Sequence, residues 1–267
     1  MTTAPFSIQK VIQNYRNILK ASSITGGSQV ATLLIGIGRT KLAAIFLGST
    51  GIGLLGLYQN IVTLIDSITS LGIASSAVRE IGAARGDDDS RHTGLISFVM
   101  RRAAWIMGGA GCLIAAVLAI PISRWTFQSA DHAPEVALLG GISLFMALTT
   151  ARTALMQGHQ RIREIAFSGI LASLASASVA VLLFWRFGEK GIIPSLFATS
   201  LFGFLFAVIF SRGIPSTGEQ FPWSHFWPEF RRLVSLGISF MIGGVLMTAV
   251  GLVTRALILR DFGMEAN

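Results

Sequence analysis

Charge is scarce in this chain. Only 13% of its 267 residues are Asp, Glu, Lys or Arg, against 52% apolar, where globular proteins carry about 25% charged residues. Uncharged stretches of up to 24 residues recur along it. A soluble core of this size cannot hold so many, whereas a bilayer accepts each as a helix of about 20 residues. Cysteine is nearly absent: Cys112 is the only one, which excludes an internal disulfide. His92, His132, His159 and His225 fall in separate connections, so metal-ligand spacing is lacking as well. No G-x-x-x-x-G-K-[ST] occurs, and Gly51-Ile52-Gly53-Leu54-Leu55-Gly56 opens an apolar segment instead of following a strand. Nucleotide sites of both kinds are thereby excluded. Neither a cofactor nor a catalytic residue is expected. Polar and mixed residues fill the first 20 positions, so no cleavable signal peptide is read there.

What the chain does have is seven apolar segments, the pattern of an all-α polytopic membrane bundle. They are Ala21 to Gly38, about Gly51 to Val78, Ala103 to Ile122, about Pro134 to Gly158, Ile165 to Trp185, Gly191 to Ser211 and Leu233 to Thr254. The first is 18 residues long, about 27 Å of helix. Asp66 interrupts the second, Arg152 the fourth, and Pro121 lies near the end of the third.

The net charge of +8 would suggest nucleic acid in a soluble protein. Here the basic residues sit in short connections, which points to retention of those loops in the cytoplasm, and no nucleic-acid partner is expected. With the N-terminus inside, the inner connections hold 14 Lys and Arg and the outer ones 7. That bias predicts a cytoplasmic N-terminus.

Two connections read as helices lying on the membrane surface. Residues 1–20 place Ile8, Val11, Ile12, Tyr15, Ile18 and Leu19 on one face with Lys10, Arg16 and Lys20 off it. Residues 212–232 gather Phe221, Trp223, Phe226, Trp227 and Phe230 beside Arg231 and Arg232. Between them, 21–211 reads as a six-helix lobe. A shift of 215 residues lays Val30 on Val245, Gly36 on Gly251, Leu42 on Leu257 and Gly48 on Gly263. Six spans separate the copies, so they share an orientation, as in transporters built of parallel repeats. On that reading 233–267 is the first helix of a second, truncated lobe.

The run Lys41-Leu42-Ala43-Ala44-Ile45-Phe46-Leu47-Gly48, continued by Gly51-Ile52-Gly53-Leu54-Leu55-Gly56-Leu57-Tyr58-Gln59-Asn60, resembles the helix 1–2 junction of Wzx-type O-antigen translocases. Gly72-Ile73, Val78-Arg79 and Ala154-Leu155-Met156-Gln157-Gly158 are similar too. The likeness is to lipid-linked oligosaccharide flippases of the polysaccharide exporter family, related in fold to MATE-type drug exporters. It implies alternating access, an ion gradient as energy source, and a lipid-linked glycan as partner alongside membrane lipids and the polysaccharide polymerase machinery. Family members carry about twelve or more spans, and this chain has seven.

Polar residues recur on two helical faces. Ser22, Thr25, Gln29, Thr32, Gly36 and Arg39 are spaced 3, 4, 3, 4 and 3; Gln59, Thr63, Asp66 and Ser70 are spaced 4, 3 and 4. Two such faces turned together predict a hydrated cavity, although Ser, Thr and Gly also serve plain helix packing. Asp66 lies near mid-membrane, where a carboxylate costs at least ~2.5–3.5 kcal/mol on insertion scales. It reads either as an ion-coupling group or partner of a cavity cation, or as half of a structural pair. Arg39, Lys41, Arg152 and Arg255 are candidates to hold a diphosphate, for which arginine offers paired hydrogen bonds; snorkelling to the interface is the alternative. Gln29, Gln59 and Asn60 complete the candidate substrate-binding set.

The expected function is translocation of undecaprenyl-diphosphate-linked oligosaccharide from the cytoplasmic to the periplasmic leaflet, with no bond made or broken. Two alternatives stand beside it: a MATE-type cation or drug antiporter, whose cavity would be dominated by acids, and a non-transporting fragment or assembly partner.

Overall fold

A computed structural model describes residues 8–86, 89–127, 129–214 and 221–238, and among them it is helical with short turns and no strand. The helices are α1 (Ile8–Ser70), α2 (Ile73–Gly86), α3 (Ser90–Val117), α4 (Ala119–Phe127), α5 (Ala133–Gly158), α6 (Ile162–Phe187) and α7 (Ile192–Ser211). A last helix, α8, covers 226–238 after a 3₁₀ turn at Trp223–His225.

Helix α1 has 63 residues, far more than the ~20 that cross a bilayer. Gly48 divides it, with φ 68° and ψ −172°, a combination essentially reserved for glycine. The chain turns back there. Arg39 of the leading arm (8–47) comes to line one cavity with Gln59 and Thr63 of the returning arm (49–70). The 50-residue apolar stretch Ile162–Ser211 is divided in the same way by the 3₁₀ turn Gly188–Gly191, entered by Gly188 at φ 54°. Four apolar stretches, Ser22–Ser70, Ser90–Val117, Ala133–Gly158 and Ile162–Ser211, therefore make six crossings among the described residues.

Two of the expected boundaries are corrected. The first span does not end at Gly38: its helix continues to the Gly48 turn, because Arg39 is carried into the bundle region and does not mark its edge. The second span does not reach Val78, because Leu71 (φ 46°) and Gly72 (φ 65°) break it after Ser70. No turn separates residues 8–20 from the first span, and the side chains from Ile8 to Ile18 lie outside the described residues. So do most of the seventh span and the repeat partners Val245, Gly251, Leu257 and Gly263.

Small residues bring α3 and α5 together. A Cβ on Gly140 would lie 2.9 Å from the Cys112 Cα, and one on Gly108 would lie 3.0 Å from the Leu144 Cα. Cys112 donates to the Gly140 carbonyl at 3.0 Å. This is how helices pack where lipid supplies no hydrophobic drive between them. Two apolar clusters fill the bundle. The one nearer Gly48 contains Leu47, Tyr58, Ile65, Leu139, Phe184 and Ile192; the one at the other end contains Ile73, Ile81, Ile96, Met156, Phe226 and Leu233. Leu33, Leu34, Leu113, Val117, Leu182 and Trp185 instead point outward, as lipid-facing side chains should.

The aromatic segment that leads into α8 and forms its first turn is organised. Phe226 is fully buried and stacks on Phe230 at 5.2 Å, while Trp223 and Trp227 stay exposed. Arg102 of α3 sits over the rings of both Phe98 and Trp223, at 4.7 and 4.5 Å, a cation–π arrangement. Arg232 pairs with Glu80 of α2 at 3.0 Å, so α8 is tied to α2 and α3.

Candidate functional site

A cavity of about 410 Å³ opens between both arms of α1, α5 and α7. Its polar lining comprises Arg39, Gln59 and Thr63 from α1, Thr149 and Thr150 from α5, and Thr199 and Ser200 from α7. Arg39 lies nine residues before the Gly48 turn and Gln59 eleven after it, or about 13 and 16 Å along their helices. Both are therefore near the middle of a hydrocarbon layer about 30 Å thick.

Four of the five lining hydroxyls are already committed as donors. Thr63 donates to Gln59 O at 2.8 Å, Thr149 to Phe145 O at 2.7 Å, Thr199 to Ser195 O at 2.8 Å and Ser200 to Phe197 O at 3.0 Å. Each uses its proton within its own helix, so oxygen lone pairs are what remain for a guest. Arg39 is the one cation among the described lining residues. Its Nη2 is buried with no hydrogen-bond partner among the described residues. An unpaired cation at this depth is costly, and the group that relieves it is an anion able to accept two parallel N–H bonds. Hydroxyl-rich guests fit the acceptor-lined wall.

A second cavity, about 230 Å³, lies toward the Leu71–Gly72 break and is lined by Asp66, Thr69, Ser70, Gly72 and Ser75 with Met100, Met107, Ala147 and Thr150. Thr150 lines both cavities. The Asp66 carboxylate makes no ion pair among the described residues.

Of the expected substrate-binding residues, the structure brings only Arg39 and Gln59 into one cavity. Gln29 and Lys41 lie along a groove that, among the described residues, α1 alone lines, with Thr32, Gly36 and Thr40. The expected polar stripe thus splits, its Arg39 edge facing inward and its Gln29 edge facing away. Asn60 is exposed and lines neither cavity. Arg152 lines neither cavity and donates to Ser211 at 3.3 Å, while Arg255 lies outside the described residues. The enclosure is not made largely by the first two spans: α5 and α7 supply Thr149, Thr150, Thr199, Ser200 and Gly203. Their signal was present in the sequence, since Thr199 and Gly203 stand four apart on an otherwise strongly apolar helix.

These features define a class: a multi-pass helical membrane protein whose bundle holds two adjoining cavities, each with polar groups set in a mainly apolar lining. The chain belongs to the polysaccharide biosynthesis protein family, whose family model matches residues 18–266. Comparison with curated proteins and with solved structures gave no match.

Proposed function

We propose that the protein is a flippase for polyprenyl-diphosphate-linked oligosaccharide, carrying it from the cytoplasmic to the periplasmic leaflet of a bacterial inner membrane. The observation that carries this reading is Arg39: a mid-bilayer guanidinium with a buried, unpartnered Nη2, facing a cavity walled by hydroxyl acceptors. The guanidinium holds the diphosphate, the acceptor wall takes sugar hydroxyls, and the lipid tail stays in the bilayer. Family membership supports a role in polysaccharide biosynthesis. No bond is made or broken, so the work is alternating exposure of one site by rocking of helical units. Asp66, in the adjoining cavity, is the group that takes up a coupling ion. The N-terminus is cytoplasmic, and the product is handed to the polymerase machinery in the outer leaflet.

The test is transbilayer movement of a fluorescent undecaprenyl-diphosphate oligosaccharide in proteoliposomes containing the full chain. Arg39→Gln lowers the rate at least tenfold and Arg39→Lys retains part of it. An Arg39→Gln protein that flips the lipid at the wild-type rate overturns the reading.

Cation or drug antiport is favoured by one observation, the Asp66 cavity, which has no cation among its described lining residues. On that reading Asp66→Asn abolishes cation-coupled efflux and Arg39→Gln leaves it intact.

A further inference from the structure

The same antiparallel register that sets Gly108 against Leu144 and Gly140 against Cys112 brings Arg101 of α3 opposite Arg152 of α5, each next in the chain to a residue that lines the second cavity, Met100 and Ala151. Facing positions across that helix contact thus carry two guanidinium groups. Neither has an acidic partner among the described residues. The Arg101 Nε is buried and makes no hydrogen bond among those residues. Arg152 Nη1 donates to Ser211 Oγ at 3.3 Å, and Ser211 in turn donates to Val208 O at 3.2 Å. Arg161 reaches the same corner, bonded to the Gly213 carbonyl. Its other guanidinium nitrogen, Nη1, lies 4.0 Å from Glu164.

Like charges packed across a helix contact cost free energy unless an anion lies between them. Their depth is informative. Arg152 is six residues from the end of α5, about 9 Å, and its guanidinium meets Ser211, the last residue of α7. The pair therefore sits at the edge of the apolar layer, where lipid phosphates lie, and on the far side of the bundle from the Gly48 turn. Arg39, by contrast, is at mid-depth. We infer that Arg101, Arg152 and Ser211 form a second anion site, separate from the Arg39 cavity, that binds the phosphate of a lipid headgroup at the membrane interface. Two lipids carry that chemistry: an anionic phospholipid, or the diphosphate carrier lipid that the proposed function invokes. With the second, the site is a loading station, and that version rests on the flippase reading.

The experiment measures lipid retained by the purified full chain in phosphatidylcholine nanodiscs, titrated with phosphatidylglycerol in one arm and undecaprenyl diphosphate in the other. Arg101→Gln/Arg152→Gln weakens at least one of the two at least tenfold, whereas Arg101→Lys/Arg152→Lys keeps most of the binding. A loss confined to phosphatidylglycerol assigns a phospholipid site; a loss of undecaprenyl diphosphate assigns the loading site. Unchanged retention of both lipids by the double Gln protein overturns the proposal. Arg39→Gln is run in parallel: if it loses the diphosphate lipid while the double Gln protein keeps both, this site is refuted and the flippase reading stands. Should the double variant fail to fold, Ser211→Ala and the single Arg152→Gln, each required to elute as wild type, must reduce retention at least threefold; no reduction in either overturns the proposal equally.

Discussion

Gly237 of α8 meets Gly72 backbone to backbone, so closely that a Cβ on either would overlap the other's main chain. Gly72 has φ 65° and follows Leu71 at φ 46°, and it lines the cavity that holds Asp66. One contact thus joins the break after α1, the acidic cavity and the helix that leads out of the described lobe. Gly237→Ala therefore pushes α8 off the break, and because its own backbone is helical the whole effect is steric. We expect a loss of about 1–3 kcal/mol from overpacking, read as a lower Tm in detergent. Transport should fall by more than the folded fraction does, because the contact lies beside Asp66.

Gly48 makes a cleaner experiment, since no atom stands within 4 Å of a Cβ built there. Its cost is purely conformational. Gly48→Ala should destabilise by about 1–3 kcal/mol through backbone strain. Gly53→Ala, a few residues on and equally open, should be neutral or stabilising by up to about 1 kcal/mol. Thermal unfolding of the two proteins side by side checks the difference; equal Tm values would place the turn elsewhere.

That turn also shows where the sequence was readable and where it was not. The fourth, fifth and sixth spans were expected at Pro134 to Gly158, Ile165 to Trp185 and Gly191 to Ser211, and the helices run Ala133–Gly158, Ile162–Phe187 and Ile192–Ser211. Hydrophobic length and glycine punctuation suffice there. Around Arg39 they mislead, because a charge normally marks the membrane edge, and here it enters a protein-lined cavity instead. Helical period put Gln29 and Arg39 on one stripe, yet the packing of α5 and α7 covers only the Arg39 side. Period fixes angles about one helix axis, not the identity of the neighbour. The Arg101–Arg152 pairing was illegible for the same reason, since it depends on the α3–α5 register set by Gly108 and Gly140.

The Gly48 end of the bundle is held by a polar cluster around Tyr58, whose side chain is only 1% exposed. Its hydroxyl donates to Glu135 Oε2, and the same oxygen lies 2.7 Å from His132 Nδ1. Tyr58→Phe removes that donor while keeping the ring. A hydrogen bond to a charged group is worth about 1.5–3 kcal/mol, and partial solvation of Glu135, whose side chain is 43% exposed, cuts the loss to about 1 kcal/mol. The diagnostic is coupling: Tyr58→Phe and Glu135→Ala should be non-additive by ~0.5–1 kcal/mol in a double-mutant cycle of unfolding free energies. Additive losses would mean that the hydroxyl and carboxylate do not act together.

At the other end, Glu80 holds two elements at once. Its Oε2 lies 3.0 Å from Arg232 Nη2 of α8 and 3.5 Å from His92 Nε2 of α3. The Glu80 side chain is largely buried and that of Arg232 half exposed, so the pair contributes little to global stability. Its effect is local. Glu80→Gln should shift Tm by less than about 2 °C, the consequence of a few tenths of a kcal/mol, yet speed amide exchange in 226–238 severalfold as α8 detaches more often. Exchange in α5 and α6 should be unchanged. Trp223, held under Arg102 at 4.5 Å, supplies a second reporter: its fluorescence should become easier to quench in the variant. Protection of α8 equal to wild type would show that Phe226 and Leu233, both fully buried, seat the helix without the ion pair.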